Sequence, residues 1–204
     1  GIVSTFEKNL LILKRRFSSL AERLETVDIS AISASQAKDG GYFYARKQPN
    51  GKWTPLTSPD NPIALTQNAV ASMEHRLLNG MSPAVVVGLY PGFLLETVFQ
   101  HFSTEHEKKS KPFRRIYVII DNFDCLAAWL KTTDRTMILS KAEIEFHAVD
   151  AIPAIVNEIE TDELEGPDNL TLIELRSGSS TGGNPASIVV IGFVRQAFTH
   201  ILLG

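Results

Sequence analysis

The chain has 204 residues, 44% hydrophobic and 21% charged, the usage of an ordinary globular protein with room for one domain or a domain plus an appendage. A net charge of −3 argues against a nucleic-acid binder, and no apolar run approaches the roughly 18–20 residues that cross a bilayer. The single cysteine, Cys125, excludes an internal disulfide and a cysteine-built zinc site and favours a reducing, cytoplasmic setting.

Gly1-Ile2-Val3-Ser4 is unlike a signal peptide, because a helical pattern carrying Lys8, Lys14, Arg15 and Arg16 follows at once. A leading glycine in place of Met reads as a cleavage scar. Ser4 and Glu7 have capping-box spacing, and Phe6, Leu10, Leu13, Phe17, Leu20 and Leu24 then recur every three or four residues. This predicts one helix of about five turns. The Lys14-Arg15-Arg16 triplet lies largely off the stripe and reads as a solvated face.

Ile29–Ala34 is a candidate strand, and Asp39-Gly40-Gly41 a turn. Tyr42–Lys47 and Lys52–Leu56 flank Pro49-Asn50-Gly51, a hairpin signal because Asn-Gly tolerates positive φ. The reading is a small antiparallel β appendage. Tyr42, Tyr44 and Trp53 are either cross-strand packing partners or a stacking surface for a sugar or base.

Asn61-Pro62 opens a helix, with Asn as cap, running to Asn79 and closed by Gly80. Ala84–Val87 is continuously apolar, as in a strand buried on both faces. Gly88-Leu89-Tyr90-Pro91-Gly92 then turns the chain into a helix over Phe93–Phe102. Ser103–Pro112 is polar and reads as an exposed loop. A second buried strand, Ile116–Ile120, ends at Asp121 and precedes a helix over Phe123–Lys131. A third strand near Ile144–Val149 ends at Asp150.

Beyond it lie a helix at Ile152–Ile159, an acidic connection, a strand at Leu170–Leu175, a flexible Ser177–Gly183 loop and a last helix from Asn184-Pro185. Glu143–Asp168 holds nine acidic residues and no Lys or Arg, a charge run that reads as a solvated face.

Strands alternating with helices predict a mostly parallel sheet with flanking helices. The strand–glycine turn–helix unit makes that sheet Rossmann-like. The expected division is a helix and β-hairpin subdomain at 1–62 and a Rossmann-like domain at 63–204, in a piece of a longer protein.

Ligands of such sheets bind outside the carboxyl ends of the strands. Gly88 and Gly92 would allow close backbone approach at a helix start that favours an anion, with Tyr90 between them. Asp121 is placed for ribose or sugar hydroxyls and Asp150 for a base or amino group. The other reading is that the glycines only permit a turn and that Asp121 and Asp150 cap the next helices. His75, His101, His106, His147 and His200 show neither metal spacing nor a paired carboxylate. His101 and His106 read as solvated loop residues, Cys125 as a core thiol, and Glu143 and Glu145 as a solvent-facing strand edge. No metal is expected, and no nucleophile–base pair can be named.

Asn9-Leu10-Leu11-Ile12-Leu13-Lys14-Arg15-Arg16-Phe17 with Leu20-Ala21-Glu22, and Val86-Val87-Gly88-Leu89-Tyr90-Pro91-Gly92 followed by Leu95-Glu96, resemble the opening of the motility-associated-factor glycosyltransferases. Those bacterial proteins glycosylate flagellin. The similarity runs over about residues 6–160. It implies an accessory amino-terminal domain, non-catalytic by itself, with the transferase site in a further domain and no catalytic residue here. An acceptor protein or further domains of the same chain would be its partners, with no nucleic acid and no membrane. The ligand stays unknown, with a nucleotide sugar as one candidate.

The family's middle glycine is Tyr90 here, and a ring turned into the crevice would fill the nucleotide's space. Gly88, Asp121 and Asp150 also fall where S-adenosylmethionine-dependent methyltransferases place their donor-binding residues. Val86 and Tyr90 depart from that pattern. S-adenosylmethionine is thus the alternative ligand, and a vestigial interaction module the third reading.

Overall fold

The computed structural model describes residues 2–71, 83–89, 93–148, 150 and 171–174. Ser4 Oγ accepts from the Glu7 amide at 3.1 Å and starts α1 (Thr5–Arg16) as the capping-box spacing predicts. The predicted five-turn helix is two helices, because the chain breaks at Phe17 (φ −139°, ψ 63°) before α2 (Ser18–Leu24). The break has a tertiary cause. Arg16 turns away from solvent and donates to the carbonyls of Leu139, Lys141, Ala142 and Ile144, while the Phe17 ring meets Phe146 edge-on at 5.6 Å. The basic triplet is therefore no uniform solvated face.

A 3-10 turn occupies Ile29–Ala31, so the strand expected from Ile29 starts later, as β1 (Ile32–Gln36). It pairs antiparallel with β2 (Tyr42–Lys47), which pairs with β3 (Trp53–Pro55). Gly51 (φ +84°) supplies the left-handed conformation of the second turn, and Asn50 Oδ1 accepts from the Lys52 amide at 2.9 Å. The hairpin is as predicted, and β1 extends it to three strands.

Register separates the three aromatics. Trp53 lies opposite Lys47, on the other face of the sheet from Tyr42 and Tyr44. Tyr44 is buried and opposite Ala34, so they form neither a shared stacking surface nor cross-strand partners of one another.

α3 (Pro62–Ala71) begins at the predicted Pro. Its cap is not Asn61, whose Oδ1 instead accepts from the Ser58 hydroxyl at 2.8 Å. Asp39, reaching from the β1–β2 turn, accepts from the amides of Ile63 and Ala64 at 2.9 and 3.3 Å. The stretch of this helix expected beyond 71 lies outside the described residues.

The second sheet is parallel throughout. It contains β4 (Ala84–Val87), β5 (Ile116–Ile120), β6 (Ile144–Ala148) and β7 (Thr171–Glu174), in spatial order β6-β5-β4-β7. Every residue of β4 and β5 is buried, which accounts for their unbroken apolar runs. Strand order moves outward from β4 to β6 and then reverses to place β7 on the other side of β4.

Helix α4 (Phe93–Lys109) is longer than predicted and absorbs most of the expected Ser103–Pro112 loop. Glu105 explains this. Its carboxylate is buried beside Arg114 at 3.5 Å and His101 at 3.3 Å, and Arg114 stacks on Phe102. With Glu105 buried and paired, the helix continues through this stretch while Glu107, Lys108 and Lys109 stay exposed. α5 (Phe123–Thr132) follows β5, capped by Asn122, and a short α6 (Thr136–Ser140) starts at an Asp134 side chain that accepts from the Thr136 amide at 2.8 Å.

The N-terminal segment covers α5. Lys131 Nζ donates to the carbonyls of Ile29 and Ile32 at 3.0 and 2.8 Å, and Arg46 pairs with Asp124 at 2.8 Å. One continuous core joins Leu13, Leu20, Ile32 and Tyr44 to Val86, Ile116 and Trp129. No described helix is long and apolar enough to cross a membrane.

Candidate functional site

The carboxyl ends of β4, β5 and β6 line one margin of the parallel sheet. Val87 is level with Ile119 and Ile120 with Ala148, so Gly88 and Asp121 emerge from adjacent strands about 5 Å apart laterally. Gly88 has φ +82° and is buried, and its amide donates to the Ile119 carbonyl at 2.9 Å. The ladder thus continues one residue past β4 before a left-handed residue turns the chain, which is what a glycine allows. Tyr90 and Gly92 lie outside the described residues, as do the Ser177–Gly183 loop and the helices predicted around it.

Asp121 is half-buried, just past β5. It is not the helix cap, because the Cys125 amide donates to Asn122 Oδ1 at 3.1 Å. Asp150 precedes a predicted helix that lies outside the described residues. It is exposed, and its Oδ1 accepts from Arg23 Nη1 at 3.1 Å, while the Arg23 guanidinium lies 4.2 Å over the Phe123 ring. Residues past β5 and β6 are thereby tied together by an arginine from α2 that nothing local in the sequence points to.

The first turn of α4 carries a second arrangement missed at the sequence level. Glu96 Oε1 accepts from Trp129 Nε1 at 2.7 Å and from Arg135, and Arg135 also stacks on Trp129. The Glu96 stem keeps some exposure, but Oε2 is buried without a hydrogen-bond partner. Burial pushes the carboxyl upward from the ordinary glutamate range, against the opposing pull of Arg135 and the Trp129 hydrogen bond. Tyr44, buried nearby, is pushed upward by the same desolvation.

Asn9, fully buried, donates to the carbonyls of Leu130 and Thr133 at 2.8 Å and accepts from the Arg135 amide at 2.8 Å. These groups join α1, α4 and α5 through buried polar contacts. Apart from Glu96 Oε2, their polar atoms are used within the fold, so they hold the first turn of α4 in place.

Two histidines do have carboxylate neighbours, contrary to the sequence reading. His101 Nε2 lies 3.3 Å from Glu105, and His147 Nε2 lies 3.5 Å from Glu145, too far for a good hydrogen bond. Glu145 lies on the edge strand β6, as expected, but is only partly exposed, and Arg115 donates to it at 3.0 Å. The His147 ring and the Arg115 guanidinium beside it hold its carboxyl below the ordinary glutamate range. His106 lies within α4 and its Nδ1 contacts the Lys111 carbonyl at 2.6 Å.

Cys125 is a packed core thiol, 1% exposed, so it cannot reach a substrate. Among the described residues no group of three or more His, Cys, Asp or Glu could hold a metal ion. The margin can accept hydrogen bonds at Asp121 and present an arginine fork at Arg23. Neither is a proton-transfer pair placed against a nucleophile. No family model, curated protein or solved structure matches the chain.

Proposed function

We propose that the chain is a Rossmann-like accessory domain of a bacterial, cytoplasmic protein glycosyltransferase of the motility-associated-factor type, itself non-catalytic, with its ligand crevice at Gly88 and Asp121. One observation carries the reading. Strand order reverses at β4, and there the chain leaves the sheet through a glycine at φ +82° to enter α4. A reversal of this kind leaves an opening between neighbouring crossovers, where doubly wound sheets take their ligands. The resemblance of Val86–Gly92 and Leu95-Glu96 to the glycosyltransferase family supplies the class of protein. Acceptor polypeptide or further domains of the same chain are the partners on this reading.

A thermal-shift panel of nucleotide sugars and S-adenosylmethionine tests it. Stabilisation grows as RT ln(1 + [L]/Kd), so a true site gives a concentration-dependent rise. A rise with a nucleotide sugar, without sugar transfer by the chain alone, supports the proposal. A micromolar Kd for S-adenosylmethionine overturns it in favour of a methyltransferase-like domain. If no donor binds but Tyr90→Gly creates binding, the tyrosine blocks the crevice and the accessory role stands without a ligand.

A further inference from the structure

Ser19 and Arg23 stand one helical turn apart on α2 and so share a face. With Ser18 they line a cleft of about 450 Å³ between the α1–α2 junction and the outer margin of β6. That volume lies within the roughly 300–1,000 Å³ of small-molecule sites. Phe17, Leu20, Phe146 and Ala148 give the cleft an apolar wall, and Asp150 lies on its rim.

The two arginines of the cleft differ in what they have left to offer. Arg16 spends its terminal nitrogens on four backbone carbonyls. Among the described residues the Arg23 guanidinium makes one hydrogen bond, to Asp150, and its side chain is 46% exposed. A guanidinium carries five N–H donors, so most of the Arg23 fork is unspent. Phe123 beneath it and Asp150 beside it already hold the plane, so a second anion meets a pre-oriented fork. The Ser18 and Ser19 hydroxyls have no hydrogen-bond partner among the described residues. Two guanidinium groups against one carboxylate leave the lining positive.

We propose that this cleft binds a small organic anion, a phosphate monoester or a carboxylate on a flat apolar body. The anionic head meets Arg23 and the Ser19 hydroxyl, and the body lies against Leu20 and Phe146. The lining of this cleft includes neither Gly88 nor Asp121, so the site stands whether or not that crevice takes a nucleotide.

Amide NMR titrations of the full chain with phenyl phosphate, benzoate and the neutral benzyl alcohol test it. Saturable shifts over residues 18–23 and 146–150 with an anion, and none with the alcohol, are expected. The tighter of the two anions identifies the head group. Arg23→Ala should weaken binding roughly tenfold or more, as loss of charged hydrogen bonds does. Arg23→Lys keeps the charge without the fork and should fall between. Asp150→Asn removes a repelling carboxylate and should tighten binding about two- to fivefold. If Asp150 instead served as a hydrogen-bond acceptor for a ligand, the same change would weaken binding and overturn the assignment. Absence of saturable shifts with either anion, an equal response to benzyl alcohol, or full binding by a folded Arg23→Ala chain would also overturn it. Shifts confined to Gly88, the start of α4 and Asp121 would mark the other crevice and refute this one.

Discussion

A single buried side chain, Asn9, illustrates how much one residue determines here. It satisfies two carbonyls and one amide at the end of α5, the Leu130 carbonyl fully buried and the other two partly so. Asn9→Ala should therefore cost about 2–4 kcal/mol in urea unfolding, because it orphans buried polar groups as well as removing bonds. A loss near zero would mean that water replaces the side chain. Glu145 offers a pH test. Its carboxyl titrates below its unfolded value because of His147 and Arg115, so its contribution is complete at neutral pH and is lost as pH falls through the folded pKa. The stability gap between wild type and Glu145→Gln should shrink on acidification. A gap that is constant or widens toward low pH would contradict the pairing.

At the scale of elements, two long-range side chains decide where helices start and how a strand edge is covered. Arg16 occupies the outward carbonyl of Ile144 on β6, an edge strand that would otherwise present open pairing groups. Arg16→Ala should destabilise by about 2–3 kcal/mol and speed hydrogen exchange over residues 139–146 before the sheet interior. Uniform acceleration would argue against an edge-specific role. Asp39 caps α3 from a turn distant in sequence, so Asp39→Ala should cost about 1 kcal/mol and Asn61→Ala less. Equal costs would return the cap to the position that sequence suggests. The hairpin was legible because Asn50-Gly51 acts through local φ preference alone. The break at Phe17 was not, since its cause is Phe146 and the carbonyls that follow α6.

At the scale of the whole molecule, the small antiparallel sheet and the parallel sheet share a core through α5. The chain should then unfold in one transition. Trp129 is fully buried while Trp53 is largely exposed, so a Trp53→Phe chain reports on the core alone. Its fluorescence midpoint should coincide with that of far-ultraviolet circular dichroism. Two separated midpoints would mean that residues 1–62 fold independently of the rest.

Apolar continuity in Ala84–Val87 and Ile116–Ile120 was enough to identify both strands, since a strand buried on both faces needs no polar residue. Gly88 was equally readable, because a left-handed turn selects glycine locally. The polar contacts were not. Asn9 meets Leu130 across 121 residues and Arg23 meets Asp150 across 127, and such pairs leave no periodic trace in either segment. Sequence alone determined the hairpin, the buried parallel strands and the glycine turn, which depend on neighbours within a few positions. Only the tertiary structure decided which charged groups are buried, which cap which helix and which arginine reaches the margin of the sheet. Those outcomes depend on desolvation and on partners that folding alone brings together.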